Sequence, residues 1–188
     1  MPIEGLVMKR KVAFVSHCLL DQNAKVGDYA LFPGVVRPII DLIKERGYEI
    51  QQLLCPELTY MGVNRWWQTK DQYDTPGYKR HSAFISTLSV DLIRKYVHDG
   101  CEIVIIGIDG SPSCGVRLTG RNPNWGGRPA LAKGDHMTQE MGVFMEQLEK
   151  ELRRNNVNVP KMFGIPMDSP NFDMGRTLDE LRQFLSVD

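Results

Sequence analysis

The chain has 188 residues, 42% hydrophobic, 9% aromatic and 24% charged, with 23 Lys+Arg against 23 Asp+Glu and so no formal net charge. That balance argues against a protein that coats DNA or RNA, which carries a basic excess. No apolar run approaches the ~20 residues needed to cross a bilayer, and the first residues lack the basic-then-apolar order of a secretory signal. The expectation is a cytoplasmic protein of one domain, residues 1–188, with no membrane and no stable nucleic-acid partner.

Residues 11–16 (KVAFVS) form a β-branched and aromatic run that predicts a first buried strand. Pro33-Gly34 opens a helical stretch through Ile39, Ile40 and Ile43, closed by Gly47. Residues 48–54 read as a second strand, and 56–78 as a long irregular loop holding Tyr60, Trp66, Trp67, Tyr73 and Tyr78. Residues 80–99 return to helical spacing, with Ile85, Leu88, Leu92 and Tyr96 on one face. Residues 101–108 are apolar on both faces, as a central parallel strand is. After a Gly- and Arg-rich loop, Asp135 is expected to cap a helix with the stripe Met137, Met141, Phe144, Leu148 and Leu152. Residues 161–165 make a fourth strand, and Thr177 with Glu180 predicts a capping box for a last helix. Strand–helix alternation of this kind implies parallel strands joined by right-handed crossovers. The fold class is therefore α/β: a three-layer α/β/α sandwich around a parallel sheet, flavodoxin- or Rossmann-like.

Four cysteines gain meaning on that frame. Cys18, Cys55 and Cys114 each follow the carboxyl end of a predicted strand, and with a strand order beginning 2-1-3 those ends are neighbours at the switch point. Cys101 opens the third strand, at the opposite edge, as a core thiol. Three convergent thiolates suit a soft metal centre, either zinc or an iron–sulfur cubane with one iron left for substrate. Small buried residues at strand ends and a Cys nucleophile are the alternatives.

The segments Ser16-His17-Cys18-Leu19-Leu20, Cys55-Pro56-Glu57 and Ser111-Pro112-Ser113-Cys114-Gly115 resemble, in order and spacing, the three signature motifs of the 2-thiouracil desulfurase (TudS) family. The resemblance implies a 4Fe–4S cluster held by Cys18, Cys55 and Cys114, and removal of sulfur from a thiolated pyrimidine, as nucleobase or nucleotide, as sulfide. It also implies that Glu57 and a serine of the third motif, Ser111 first and Ser113 second, transfer protons. The chain departs from the pattern at Asp21 and Ala24, and at Leu58–Trp67 where relatives are Gly-rich. The cluster thus carries over better than the thiouracil specificity.

Further candidates lie in the loops. Residues 116–133 hold Arg117, Arg121, Arg128 and Lys133 with no acid, which predicts a cationic lid for an anionic substrate such as a thionucleotide. Pairing of those charges with acids elsewhere is the competing expectation. Trp66, Trp67 and Trp125 are placed to stack on a planar base, or to form a homodimer contact. Asp109 has a structural role, and His17 points away from the ligand set. A zinc hydrolase using the same thiolates and a non-catalytic cluster-bearing sensor or sulfur carrier remain as alternatives. A nucleotide-binding module is weakened by the absence of a glycine-rich phosphate loop after the first strand.

Overall fold

The computed structural model describes residues 9–124 and 136–186. Its centre is β1 (Lys11–Ser16), where Val12, Ala13, Phe14 and Val15 are wholly buried. β-Branched and aromatic side chains on both faces leave this strand no solvent side, so it takes a central place. It pairs in parallel with β2 (Tyr48–Leu53) on one flank and β3 (Glu102–Ile108) on the other, Ala13 facing Ile50 and Val104. β6 (Lys161–Ile165) joins beyond β3, giving the order β2-β1-β3-β6. The predicted 2-1-3 start and the parallel sheet are both present.

Two helical pairs complete the three layers. α2 (Arg37–Glu45) packs with α7 (Met174–Phe184), and α5 (Pro76–His98) with α6 (Val143–Arg154). A short antiparallel hairpin, β4 (Thr119–Arg121) with β5 (His136–Thr138), stands apart from the main sheet. No described helix is long and apolar enough to cross a membrane.

Several elements differ from their predicted form. Residues 56–78 are not irregular: they hold α3 (Pro56–Met61), α4 (Lys70–Tyr73) and the first turn of α5. Each has a local start signal: Pro56 in the first turn of α3, a Thr69–Gln72 capping box, and Thr75 Oγ1 accepting from the Tyr78 amide at 3.2 Å. Tyr73 and Tyr78 belong to the core rather than to a loop. α2 starts at Arg37, with Pro38 in its first turn, rather than at Pro33. α6 starts at Val143, because the hairpin takes up Met137; Asp135 lies outside the described residues. α7 begins a turn before the predicted box, capped by Asp173, whose Oδ1 accepts from the Arg176 amide at 2.7 Å.

The buried face of α5 is the largest revision. Leu88 and Leu92 are exposed, at 56% and 42%, whereas Ser82, Ser86 and Ser89 are buried beside Ile85, Val90 and Ile93. Packing against a neighbouring helix selects for small side chains as well as apolar ones. Buried serines are tolerated when their hydroxyls bond back along the helix, as Ser86 Oγ does to the Ser82 carbonyl at 2.7 Å.

Candidate functional site

The site forms where β1, β2 and β3 end. Cys18 lies in α1 (His17–Leu20), the single turn that follows β1 directly. Cys55 follows β2 as the N-cap of α3, and its Sγ accepts from the Leu58 amide at 3.4 Å. Cys114 closes a turn after β3 in which Ser111 Oγ accepts from the amides of Ser113 and Cys114 at 3.3 and 3.1 Å. Parallel strands place all three ends on one edge, so the three thiols, with Glu57 and Ser111, line one pocket of about 60 Å³. Cys101 is buried at the other edge, ahead of β3. All four are free cysteines.

Glycine makes this packing possible. Gly110 has φ +95°, and a Cβ there would lie 2.5 Å from the Asp168 backbone; one at Gly142 would lie 2.4 Å from the Ser113 carbonyl carbon. The loop after β6 and the entry to α6 therefore close tightly on the third cysteine motif.

Burial dominates the thiols. It pushes Cys18 up to about 12, with the Lys25 ammonium working in the opposite direction. Burial, then the Glu57 charge, raises Cys55; burial, then Cys18 and Cys55, raises Cys114 well above a thiol's ordinary value. Three thiolates cannot coexist here without a compensating cation. Ser16 Oγ is buried beside Cys114 with no hydrogen-bond partner among the described residues, and it favours the charged sulfur. Among the described residues, no three His, Cys, Asp or Glu are gathered closely enough to hold a metal ion.

Glu57 is held at both oxygens. Oε1 accepts from Ser113 Oγ at 2.8 Å, and Oε2 accepts from Arg65 Nε at 3.0 Å. Ser113 Oγ also shares a 2.7 Å hydrogen bond with Tyr78 OH. The Arg65 guanidinium is 2% exposed and donates as well to the carbonyls of Gly62 and Ala24, at 3.1 and 2.7 Å. Burial, then Glu57, keeps Tyr73 and Tyr78 as neutral phenols. Lys25 and Asp168 form a second buried ion pair in the pocket wall. Burial works against the Lys25 charge, but Asp168, Cys18 and Glu57 together outweigh it and raise Lys25 above an amine's ordinary value.

The structure brings together Cys18, Cys55, Cys114, Glu57 and Ser111 in the pocket, with Ser113 behind Glu57. Ser113, not Ser111, touches the Glu57 carboxylate. Ser111 Oγ accepts backbone amides, which leaves its own proton available at the pocket wall.

Trp66 is 63% exposed and away from the pocket, whereas Trp67 lines it, stacked on Tyr29 with ring centroids 5.5 Å apart. In this irregular stretch Arg65 is buried, Trp66 exposed, and Trp67 and Gln68 half-buried at the pocket. Arg121 is not at the pocket either; it bonds Glu140 through Nε and NH2, and Asp71 through NH1 at 3.0 Å. Arg117 is paired with Asp109, whose fully buried carboxylate also accepts the amides of Val116 and Arg117 at 2.9 and 2.8 Å. An acid-free stretch of sequence thus finds its acids elsewhere in the fold, and these two residues supply no cationic lid. Arg128, Trp125 and Lys133 lie outside the described residues.

Sequence reading missed Lys25, Arg65, Tyr78 and Asp168. Asp168 had a signal: it stands three residues past β6, at the fourth carboxyl end of the sheet. Lys25 and Arg65 sit in segments without a periodic pattern and had none.

No protein-family model matches the chain. An uncharacterised protein of Methanocaldococcus jannaschii is 25% identical over 173 residues, covering 92% of this chain and 97% of that one. Among solved structures, a 4Fe–4S-dependent thiouracil desulfidase, TudS, matches with TM-score 0.50 and 20% identity, over 95% of this chain and 99% of the other. The likeness is one of fold along nearly the whole length, and it agrees with the resemblance carried by the three cysteine motifs.

Proposed function

We propose that this chain, sharing its fold with a thiouracil desulfidase, is itself a desulfidase that removes sulfur from a thiolated nucleobase as sulfide. The observation that carries the reading is the convergence of Cys18, Cys55 and Cys114 from three successive strand ends on one pocket, with Glu57 beside them. The donor set fits a 4Fe–4S cluster. The buried Ser16 hydroxyl beside Cys114 and the Leu58 amide on Cys55 are the hydrogen-bond donors that ligand thiolates need. Cys18, Cys55 and Cys114 would hold such a cluster, and when bound it would supply an iron without a protein ligand, a Lewis acid for sulfur.

The chain's own residues supply the proton chemistry. Overall, C=S and water become C=O and hydrogen sulfide, with no change of oxidation state. Glu57 relays both protons of the attacking water to the departing sulfur in turn, the first as water adds to the carbon and the second as the new hydroxyl becomes the carbonyl. Arg65 keeps the carboxylate oriented, and Ser113, braced by Tyr78, holds its second oxygen. Ser111 donates its free hydroxyl proton as a hydrogen bond to the leaving group. The tight, buried wall excludes bulk water and strengthens each of these interactions.

Anaerobic purification, iron and sulfide analysis, and a screen of thiolated bases, nucleosides and nucleotides for sulfide release test the proposal. The expected result is a coloured protein that releases sulfide from at least one thiobase. A colourless protein carrying stoichiometric zinc after anaerobic reconstitution overturns it in favour of a zinc hydrolase. A clustered protein inert to every thio-compound leaves a sensor or sulfur carrier.

A further inference from the structure

Tyr73 ends α4 with its hydroxyl inside the protein: the residue is 2% exposed, and its oxygen has no hydrogen-bond partner among the described residues. A buried hydroxyl left unpaired is costly, so one kept in a packed core calls for a use. The neighbouring phenol shows what that use looks like. Tyr78, packed on Tyr73 with ring centroids 4.7 Å apart, bonds Ser113 Oγ at 2.7 Å. Ser113 directs its one proton to Glu57, so Tyr78 is the donor in its own bond and reaches the carboxylate through one hydroxyl.

Tyr73 faces the same carboxylate. Burial first and the Glu57 charge second hold this phenol protonated, against the Arg65 guanidinium. Its proton has few places to go. Arg65 carries donors only, already engaged with Glu57, Gly62 and Ala24. Of the side chains that act most on Tyr73, Glu57 is the one with strong acceptor atoms. A carboxylate has about four lone-pair sites, and Ser113 and Arg65 fill two of them.

We propose that Tyr73 is a positioning residue for Glu57, its hydroxyl closing on the carboxylate as a third donor. Tyr73 lies outside the pocket lining, so it acts through Glu57 rather than on the substrate. Three filled sites leave about one, and because Glu57 lines the pocket that site faces the attacking water. The role rests on the desulfidase reading, which makes Glu57 the proton relay, and it gives work to a residue that reading leaves idle. The alternative is a packing residue whose hydroxyl is merely tolerated.

The test uses the full chain, purified anaerobically with its iron. Tyr73→Phe removes only the hydroxyl. An idle hydroxyl leaves the melting temperature equal or higher when it is deleted, because an unmet burial is relieved. A donor to Glu57 should instead lower it by about 2–4 °C, and the drop should vanish where Glu57 is already replaced by Met, the non-additivity that marks direct contact. Should Glu57→Met fail to fold, Glu57→Gln serves, and the drop should at least halve. Sulfide release from 4-thiouracil is the second readout: Tyr73→Phe should lower kcat about tenfold, with KM within about twofold and iron content unchanged. An equal or higher melting temperature, a drop that persists without Glu57, or an unchanged kcat each overturn the proposal. A Glu57-dependent drop in a protein that releases no sulfide removes the desulfidase and keeps the contact. Release that is indifferent to Tyr73 keeps the desulfidase and removes the positioning role.

Discussion

The pocket at the ends of β1–β3 and the clamp around β4 both concentrate charge, and they use it in opposite ways. At the clamp, Arg121 is engaged by Asp71 and Glu140, while buried Lys70 bonds Glu140 at 2.9 Å, Glu146 at 2.6 Å and the Met141 carbonyl. These charges close on one another and fasten the hairpin to α4 and the start of α6. At the pocket, the ion pairs Glu57–Arg65 and Lys25–Asp168 stand in a wall that also bears three thiols. An ion pair is thus not a site by virtue of being buried. What separates the two regions is whether the pair borders a space with reactive groups on its other side.

The comparison can be broken most forcefully at the cysteines. Replacing Cys18, Cys55 or Cys114 by Ala should abolish both iron retention and sulfide release, whereas Cys101→Ala should spare both; iron analysis with circular dichroism separates site loss from unfolding. Next in size, Glu57→Gln should cut sulfide release by about 10²–10⁴-fold with iron content unchanged, as expected for loss of a general base. A variant that stays active would remove Glu57 from the chemistry.

Arg121→Met sharpens the contrast from the clamp side. It should lower stability by about 1–2 kcal/mol in denaturant melts, since it strips partners from two partly exposed carboxylates. Sulfide release from a thiobase and from its nucleotide should fall by equal factors. A selective loss on the nucleotide would restore the cationic-lid expectation.

Acid should loosen the clamp. The Arg121 hydrogen bond, helped by Lys70, holds Glu140 down from 4.5 to about 2. A depressed carboxylate contributes stability that is fully present above its unfolded value and is lost as pH falls through its folded one. The contribution should therefore fade between about pH 4.5 and 2, and amide exchange around residues 119–121 is the measurement that shows it. The smallest effect is expected between neighbours: Trp66→Ala should leave KM within about twofold, as an exposed side chain does, while Trp67→Ala should raise it.

How much of this was legible depended on the range of the interaction. The α/β class was, because the strands at 11–16 and 161–165 and the alternation of elements are written in short apolar runs. The three-plus-one division of the cysteines was too, because parallel strands put every carboxyl end on one edge. The face of α5 was not legible: apolar spacing pointed to Leu88 and Leu92, but the buried face carries Ser82, Ser86 and Ser89. The choice of Trp67 over Trp66 turned on the path of an irregular segment, which no composition reveals.

The sequence by itself determined the order of the four parallel strands, the strand ends at which Cys18, Cys55 and Cys114 fall, and the motif that sets Glu57 two residues past a cysteine. Backbone propensity and crossover handedness act locally, so short stretches suffice to encode them. Tertiary structure alone decided which charges meet. Lys25 finds Asp168, Arg65 finds Glu57, and Arg121 finds Asp71 and Glu140. Charge pairing depends on distance in space and on shared burial, and neither is a property of spacing along the chain.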